Sequence, residues 1–495
     1  MVRDYLTRNT RVKVQSCSYV YDEGMQTDGF SIVCDAGGHV EVRFQSDRAR
    51  SYAEAEIAAL TDDEGTMSVM ERSDYPSFPL RGIVEGYYGK PYSVQQRMDL
   101  IDFLAAHRMN AYFYAPKMDV FHRDRWREEF PEAQLREFSA LSAHAKDRHV
   151  RFYYCIAPID FGEEDDYERL REKLLRLTEI GICDFAVLFD DLPPSLTERA
   201  DREGIAARHC EVVNFVNREI PHTHALVFCP TDYFQNTDTA YRRVVRERLD
   251  GDVQVFWTGY NTAAEAIPER DCIAASESFS RPLVLWDNYP VNDYAPKHRV
   301  YFGAVCNRTR AIARYHVGCL ANPSELWETS KVALAAMAEW MWNAECYDDE
   351  AAYERAVNEQ LGEGAEMRFF ADLSRSSILR RYPEREPLFD RGDWAALDAI
   401  YELQAQSIEK ARTSVRPALA AELQPLFAYA EEEVALYRVM RRGEDVEPHL
   451  KAMEALPLRT ADQSLLRYIA KNGIGRNIEL SERAVYWNTE RKDES

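Results

Sequence analysis

Phe185-Ala-Val-Leu-Phe-Asp190-Asp191 is a short apolar run that ends in two adjacent carboxylic acids. A run of this length without alternation reads as a strand buried on both faces, as in a parallel sheet. Ionised carboxylates do not sit inside such a strand, because desolvation is too costly. The pair therefore marks where the strand leaves the core and faces a cleft. In a barrel of parallel strands, that edge collects the catalytic groups. Neighbouring acids also disfavour double ionisation, which makes one of them a candidate proton donor.

Similar runs recur on both sides of this one: Gly82–Tyr88, Ala111–Ala115, Val150–Ala157, His224–Cys229, Val253–Trp257, Pro282–Trp286 and Gly318–Ala321. Helical patterns lie between most of them, at Val94–His107, Leu135–Arg148, Tyr167–Ile180, Arg202–Ile220 and Tyr241–Leu249. Eight strands alternating with helices or long loops predict an α/β fold, a (β/α)8 TIM barrel. An open doubly wound sheet would show fewer strands and a Gly-rich phosphate turn, and neither is seen. Leu326–Trp342 is a strongly apolar helix that would close the barrel.

Outside the barrel the pattern changes. Val12–Cys17 reads as a strand, and Phe30–Cys34 and Val40–Phe44 flank the hairpin turn Ala36-Gly37-Gly38. Ser51 reads as the cap of a helix over Tyr52–Leu60, with Glu54 completing a capping box. The polar stretch from Asp62 through Gly65 to Pro76 and Pro79 reads as a linker. Beyond Glu345 the patterns are helical, at Trp394–Arg412, Pro417–Arg441 and Glu447–Leu456, with a charged tail after Ser481 expected to fray. The expected organisation is a small α/β domain over residues 1–78, the barrel over 79–345 and a helical domain over 346–495.

The net charge of −23 argues against nucleic acid as a partner. The first residues lack the apolar core of a signal peptide, and no stretch is apolar enough to span a bilayer. The ten cysteines are scattered, with no metal-type spacing, and read as free thiols of a reducing compartment, so a cytoplasmic location is expected. No cofactor or metal is expected, and oligomeric state is left open.

The chemistry lies at the strand ends. Glu85-Gly86-Tyr87-Tyr88 follows the first strand, Lys117-Met118-Asp119 the second, Asp190-Asp191 the fourth and Thr231-Asp232-Tyr233 the fifth. Thr258-Gly259 follows the sixth strand, Trp286-Asp287-Asn288 and Asn292-Asp293 the seventh, and Asn322 the eighth. Aromatic rings beside acids and amides suit a sugar, whose C–H faces stack and whose hydroxyls hydrogen-bond. Other readings stay open on the residues alone. Asp-Asp after a strand also serves as a turn or helix cap. Tyr233 and Trp286 also suit a core. Lys117 suits a Schiff-base enzyme, and Glu85, Asp119 and Asp287 could join the Asp pair around a hard metal. A sugar-binding barrel without turnover is a further alternative.

Arg81-Gly-Ile-Val-Glu-Gly-Tyr-Tyr-Gly89, Tyr114-Ala-Pro-Lys117, Leu188-Phe-Asp-Asp191, Phe228-Cys-Pro-Thr-Asp-Tyr233, Trp257-Thr-Gly259 and Trp286-Asp-Asn288 with Asn292-Asp293 resemble glycoside hydrolase family 84. That family contains the protein O-GlcNAcases and bacterial β-N-acetylglucosaminidases. The resemblance implies retaining hydrolysis of β-linked N-acetylglucosamine from a glycoside or glycoprotein, with the substrate's acetamido oxygen as nucleophile and an oxazoline intermediate. It implies that Asp190 holds the acetamido N–H and that Asp191 is the general acid/base. Tyr233 would bond the acetamido oxygen and Trp286 would wall the N-acetyl pocket. Lys117, Asn288, Asp293, Asn322 and the backbone at Gly86 would bind hydroxyls or position the reacting centre, with Cys229 nearby and no catalytic duty implied. Hyaluronan-type or cell-wall oligosaccharides are alternative substrates. The adjacency of the acids suits this chemistry. An ordinary retaining enzyme needs carboxyls about 5 Å apart on opposite sides of the sugar, whereas a nucleophile within the substrate lets both acids sit on one side. Two segments depart from the family pattern, Ile159-Asp160 after Pro158 and the Leu192-Pro193-Pro194 loop, and both put aglycone preference in question.

Overall fold

The computed structural model describes residues 4–192, 201–293, 299–382 and 385–474. The Pro193-Pro194 pair and the tail after Ser481 lie outside them. The chain begins with β1 (Asp4–Lys13), β2 (Ser16–Tyr21), β3 (Phe30–Cys34), β4 (His39–Phe44), α1 (Asp47–Leu60) and β5 (Thr66–Asp74). These strands form one sheet in the order β1-β5-β3-β4-β2. The hairpin turn is where the sequence places it: Asp35 accepts hydrogen bonds from the Gly37 and His39 N–H groups, and Gly38 takes a φ of +80°.

Three local expectations are corrected. The run Val12–Cys17 is divided between β1 and β2. The first helix starts four residues before Ser51. Its cap is Ser46, which accepts from Ala49 N–H, while Ser51 donates back to the Asp47 carbonyl and Glu54 pairs with Arg50. The expected linker contains β5, an interior strand paired with β1 and β3. Its polar residues hid it, since Arg72 and Asp74 are buried in contacts with Glu56, Arg108 and Trp342.

The barrel follows as β6 (Leu80–Glu85), α2 (Val94–Ala106), β7 (Ala111–Tyr114), α3 (Glu132–Asp147), β8 (Arg151–Ile156), α4 (Asp166–Glu179) and β9 (Asp184–Leu188). It continues with α5 (Arg202–Glu219), β10 (Val227–Cys229), α6 (Ala240–Arg248), β11 (Gln254–Trp257), α7 (Glu269–Phe279), β12 (Leu283–Pro290) and β13 (His316–Asn322). The sheet closes by parallel pairing of β13 with β6. Side chains from alternating strand positions fill the interior, as in other barrels of this size. Phe113 stacks on Tyr153 at 4.0 Å, Phe256 packs edge-on against Phe113, and Trp286 packs edge-on against Phe256. This aromatic column fills the barrel up to its C-terminal mouth.

Helix α8 (Trp327–Trp342) is apolar around its circumference and almost wholly buried, as expected of a helix with no solvent face. Its end carries Trp342 into the core of the first sheet. Its start is capped by Glu422 of the C-terminal helices, which accepts from Glu328 N–H, Thr329 N–H and the Thr329 hydroxyl. After α8 the regular elements among the described residues are helices, including Trp394–Ser414 and Pro417–Arg442 packed on each other. No helix among the described residues is long and apolar enough to cross a membrane.

The first sheet is joined to the barrel by a buried charge cluster. Arg81 of β6 is fully buried and donates to Asp28, Tyr52 and the Arg108 carbonyl. Asp28 also binds Arg48 and Asn110. Burial alone would raise the Asp28 pKa, but Arg81 and then Arg48 hold it well below the usual carboxylate range. A group with a depressed folded pKa contributes stability above its unfolded value and loses it as pH falls. Asp28→Asn should therefore cost about 3–5 kcal/mol at neutral pH, the scale for breaking a buried ion pair. Urea titration should show the difference from wild type shrinking as pH drops from about 4 downward. A difference that stays the same in acid would contradict the assignment.

Candidate active site

The nine residues that the family resemblance names for catalysis or binding lie around one pocket of about 250 Å³ at the C-terminal mouth of the barrel. Gly86, Lys117, Asp190, Asp191, Tyr233, Trp286, Asn288, Asp293 and Asn322 line it, with Cys229 beside them. Tyr88, Thr258, Thr262, Ala263 and Val291 complete the wall, and the sequence reading gave none of these five a role. Tyr88 and Thr258 stand in the strand-end segments that the sequence singles out, where a role could have been given to them. Thr262, Ala263 and Val291 lie deeper in their loops and carry no chemical signal.

The two acids sit differently. Asp190 is buried, whereas the Asp191 side chain is 36% exposed at the mouth. The Lys117 ammonium is buried against Asp190 and lies 4.0 Å from Asp191. Burial opposes the charge on Lys117, but Asp190 and then Asp191 hold its pKa above the ordinary lysine value. Only Oδ2 of Asp190 takes part in this pair. Its Oδ1 is buried without a hydrogen-bond partner among the described residues. A buried acceptor left unpaired is costly, so this oxygen is suited to receive a donor from a ligand.

Asp191 is held from two sides. Tyr88 donates to Oδ2 and Tyr233 donates to Oδ1, each at 2.9 Å. Tyr233, expected from the resemblance to face an acetamido oxygen, thus donates to Asp191, with Thr262 Oγ1 3.4 Å away. Burial raises the pKa of Tyr88 to about 12, with Lys117 opposing and Asp191 adding to the rise. Burial and then Asp191 also raise that of Tyr233, so both phenols remain donors. Burial and then the charge of Asp190 push the Cys229 thiol well above its usual value.

A chain of amides shapes the opposite wall. Gly86 N–H donates to Asn322, whose amide donates to Asn288 Oδ1 at 2.8 Å. Trp286 Nε1 donates to the same oxygen, and Asn288 in turn donates to the Thr262 carbonyl. These bonds set the plane of the Trp286 ring. Asp293 accepts from Tyr88 N–H at 2.6 Å and so joins the loops after β6 and β12.

The acids proposed as metal ligands alongside the pair are occupied elsewhere. Glu85 pairs with Arg97 and Tyr112, Asp287 with Arg308 through both oxygens, and Asp119 accepts from Tyr114 and Gln134. None of them lines the pocket. Ile159 and Asp160 likewise stand outside it, their carbonyls accepting from Trp126 and Arg127. The arrangement offers a buried anion with a free acceptor, a second acid at the mouth, phenol donors between them and an indole wall. That set can hold an amide-bearing sugar and pass a proton to an oxygen at the pocket entrance.

The sequence profile of the β-N-acetylglucosaminidase family matches residues 81–372. Protein O-GlcNAcase of Mus musculus is 32% identical over 273 residues, which cover 53% of this chain and 30% of the mouse protein. The chain thus spans about a third of the length of that curated relative. Among solved structures, CpGH84B superposes with a TM-score of 0.81 at 22% identity, covering 95% of this chain and 99% of the other, a likeness of fold. A point mutant of an O-GlcNAc hydrolase from Thermobaculum terrenum superposes with a TM-score of 0.68 at 25% identity, covering 80% and 94%.

The tightest approach in the pocket is testable. A Cβ at Gly86 would stand 2.2 Å from the Trp286 ring, closer than any real contact. Gly86→Ala should therefore tilt the indole, weaken binding of N-acetylglucosamine by about tenfold or more and cost about 1–3 kcal/mol of stability, the range for overpacking. Calorimetric titration with the sugar and thermal melts would check both.

Proposed function

The chain belongs to the β-N-acetylglucosaminidase family of glycoside hydrolases, and we propose that it is a retaining exo-β-N-acetylglucosaminidase acting by substrate assistance on GlcNAc-bearing glycosides or glycoproteins. The single observation that best supports this reading is the buried Oδ1 of Asp190, without a partner among the described residues, in a pocket that Trp286 also lines. A simple hydroxyl-binding pocket has no need of a second acid at its mouth. A pocket for an N-acylated sugar does, with one acid on the amide and one on the leaving oxygen.

In this mechanism the acetamido N–H donates to Asp190 Oδ1, which turns the acetamido oxygen toward the anomeric carbon. Tyr233 leaves Asp191 and donates to that oxygen. Attack within one molecule gains from proximity, since nucleophile and electrophile already share a bound ring. Asp191 gives its proton to the departing oxygen, and the C–O bond breaks as the oxazoline ring closes. Asp190, anchored by Lys117, faces the positive charge that develops on the ring nitrogen. Water then enters from the mouth, gives its proton to Asp191 and opens the oxazoline with overall retention.

The roles separate by leaving group. Asp191→Ala should lower kcat by about 10²–10⁴ on alkyl glycosides, the usual range for general acid catalysis, and spare dinitrophenyl glycosides. Asp190→Ala should impair both classes. A thiazoline that mimics the cyclised intermediate should bind far more tightly than the sugar product. Identical behaviour of the two variants across leaving groups, or inversion at the anomeric carbon, would overturn the reading.

A further inference from the structure

The backbone of Asp191 is unusual. Its φ is +29°, outside the regions that non-glycine residues ordinarily occupy. Such a conformation costs about 1–3 kcal/mol and persists only where surrounding contacts enforce it. The side chain contributes through Tyr88 and Tyr233, but these phenols bond the carboxyl, which must be freed to act. The backbone has a separate contact. Arg123 Nη2 donates to the Asp191 carbonyl at 2.6 Å.

Arg123 is built for this contact. Its side chain is 12% exposed, and its nearest carboxylate among the described residues is Asp124, 4.0 Å away and largely solvated. Its Nη1 is buried without a partner among the described residues. The principal hydrogen bond of this cation is therefore to one peptide oxygen, and charge-assisted bonds of this kind are about twice as strong as neutral ones. The loop that carries Arg123 is itself pinned. His122 is fully buried with its carbonyl accepting from Ala157 N–H, and Trp126 is buried with Nε1 on the Ile159 carbonyl. The guanidinium thus reaches Asp191 from a fixed platform after β7.

We propose that Arg123 is a positioning residue for the acid/base: by holding the carbonyl of Asp191, it fixes the peptide in its unusual conformation and aims the carboxyl at the leaving oxygen. The inference rests on the reading of Asp191 as the proton donor. It separates two jobs that the tyrosines alone would mix. Tyr88 and Tyr233 hold the carboxyl at rest, and Arg123 holds the backbone whether or not the phenols are engaged. Without the clamp, the peptide relaxes toward an ordinary conformation and the carboxyl swings away from the glycosidic oxygen. The amide-binding end of the pocket, centred on Asp190 and Trp286, does not move.

The test is a leaving-group series. kcat and KM are measured for alkyl, methylumbelliferyl and dinitrophenyl N-acetylglucosaminides with wild type, Arg123→Ala, Arg123→Lys and Asp191→Ala. Arg123→Ala should lose about 10–100-fold in kcat on the alkyl glycoside, part of the general-acid contribution. It should lose little on the dinitrophenyl glycoside and keep KM and thiazoline affinity close to wild type. Arg123→Lys, which still reaches the carbonyl with one donor, should fall between. Equal losses on all leaving groups would mean a general structural role and overturn the proposal, as would no loss at all. If Arg123→Ala fails to fold, Arg123→Lys carries the same comparison. A steep series for Asp191→Ala beside a flat one for Arg123 variants would sink this inference alone. A flat series for Asp191→Ala would sink the acid assignment and the inference with it.

Discussion

Pairing of β13 with β6 closes the sheet, and the place of every polar group in the pocket follows from that closure. A closed parallel barrel has no free edge and an interior filled by side chains. Here a column of aromatic rings, from Phe113 and Tyr153 through Phe256 to Trp286, runs through an otherwise aliphatic filling. The polar residues of the pocket therefore stand at the rim where the strands end. All strands run the same way, so their C-terminal residues meet there, though they come from segments more than two hundred residues apart, as with Gly86 and Asn322.

Burial then decides what each charge can do. The carboxylates that face the outer layer, Glu85 and Asp287, are matched on both oxygens by arginines through paired hydrogen bonds. Asp190 is matched on one oxygen by Lys117 and left open on the other. That partial compensation leaves Asp190 with one buried acceptor oxygen that no described residue uses. Asp191, nearer to water, gains its definition from directed contacts on both its carboxyl and its peptide.

The barrel was legible in the sequence because buried parallel strands are continuous apolar runs, which no other element of that length imitates well. Strand β5 was not legible, because Arg72 and Asp74 are buried through ion pairs that only the tertiary fold supplies. In the site, chemistry-bearing residues at strand ends could be named, and the fold gathers them around one pocket. Their partners could not. Nothing local says that Tyr233 rests on Asp191 or that Arg123 reaches across from another loop. Such pairings depend on which loops become neighbours, and spacing along the chain does not record that.

The thiol of Cys229 forms part of the pocket wall and is kept protonated by burial and by the anion beside it. Sulfur attacks electrophiles and peroxides as thiolate. A thiol held protonated in this way reacts slowly with either and leaves a soft, polarisable surface on the pocket wall. Burial first, and then the same carboxylate that pairs with Lys117, thus keeps this sulfur in its less reactive form.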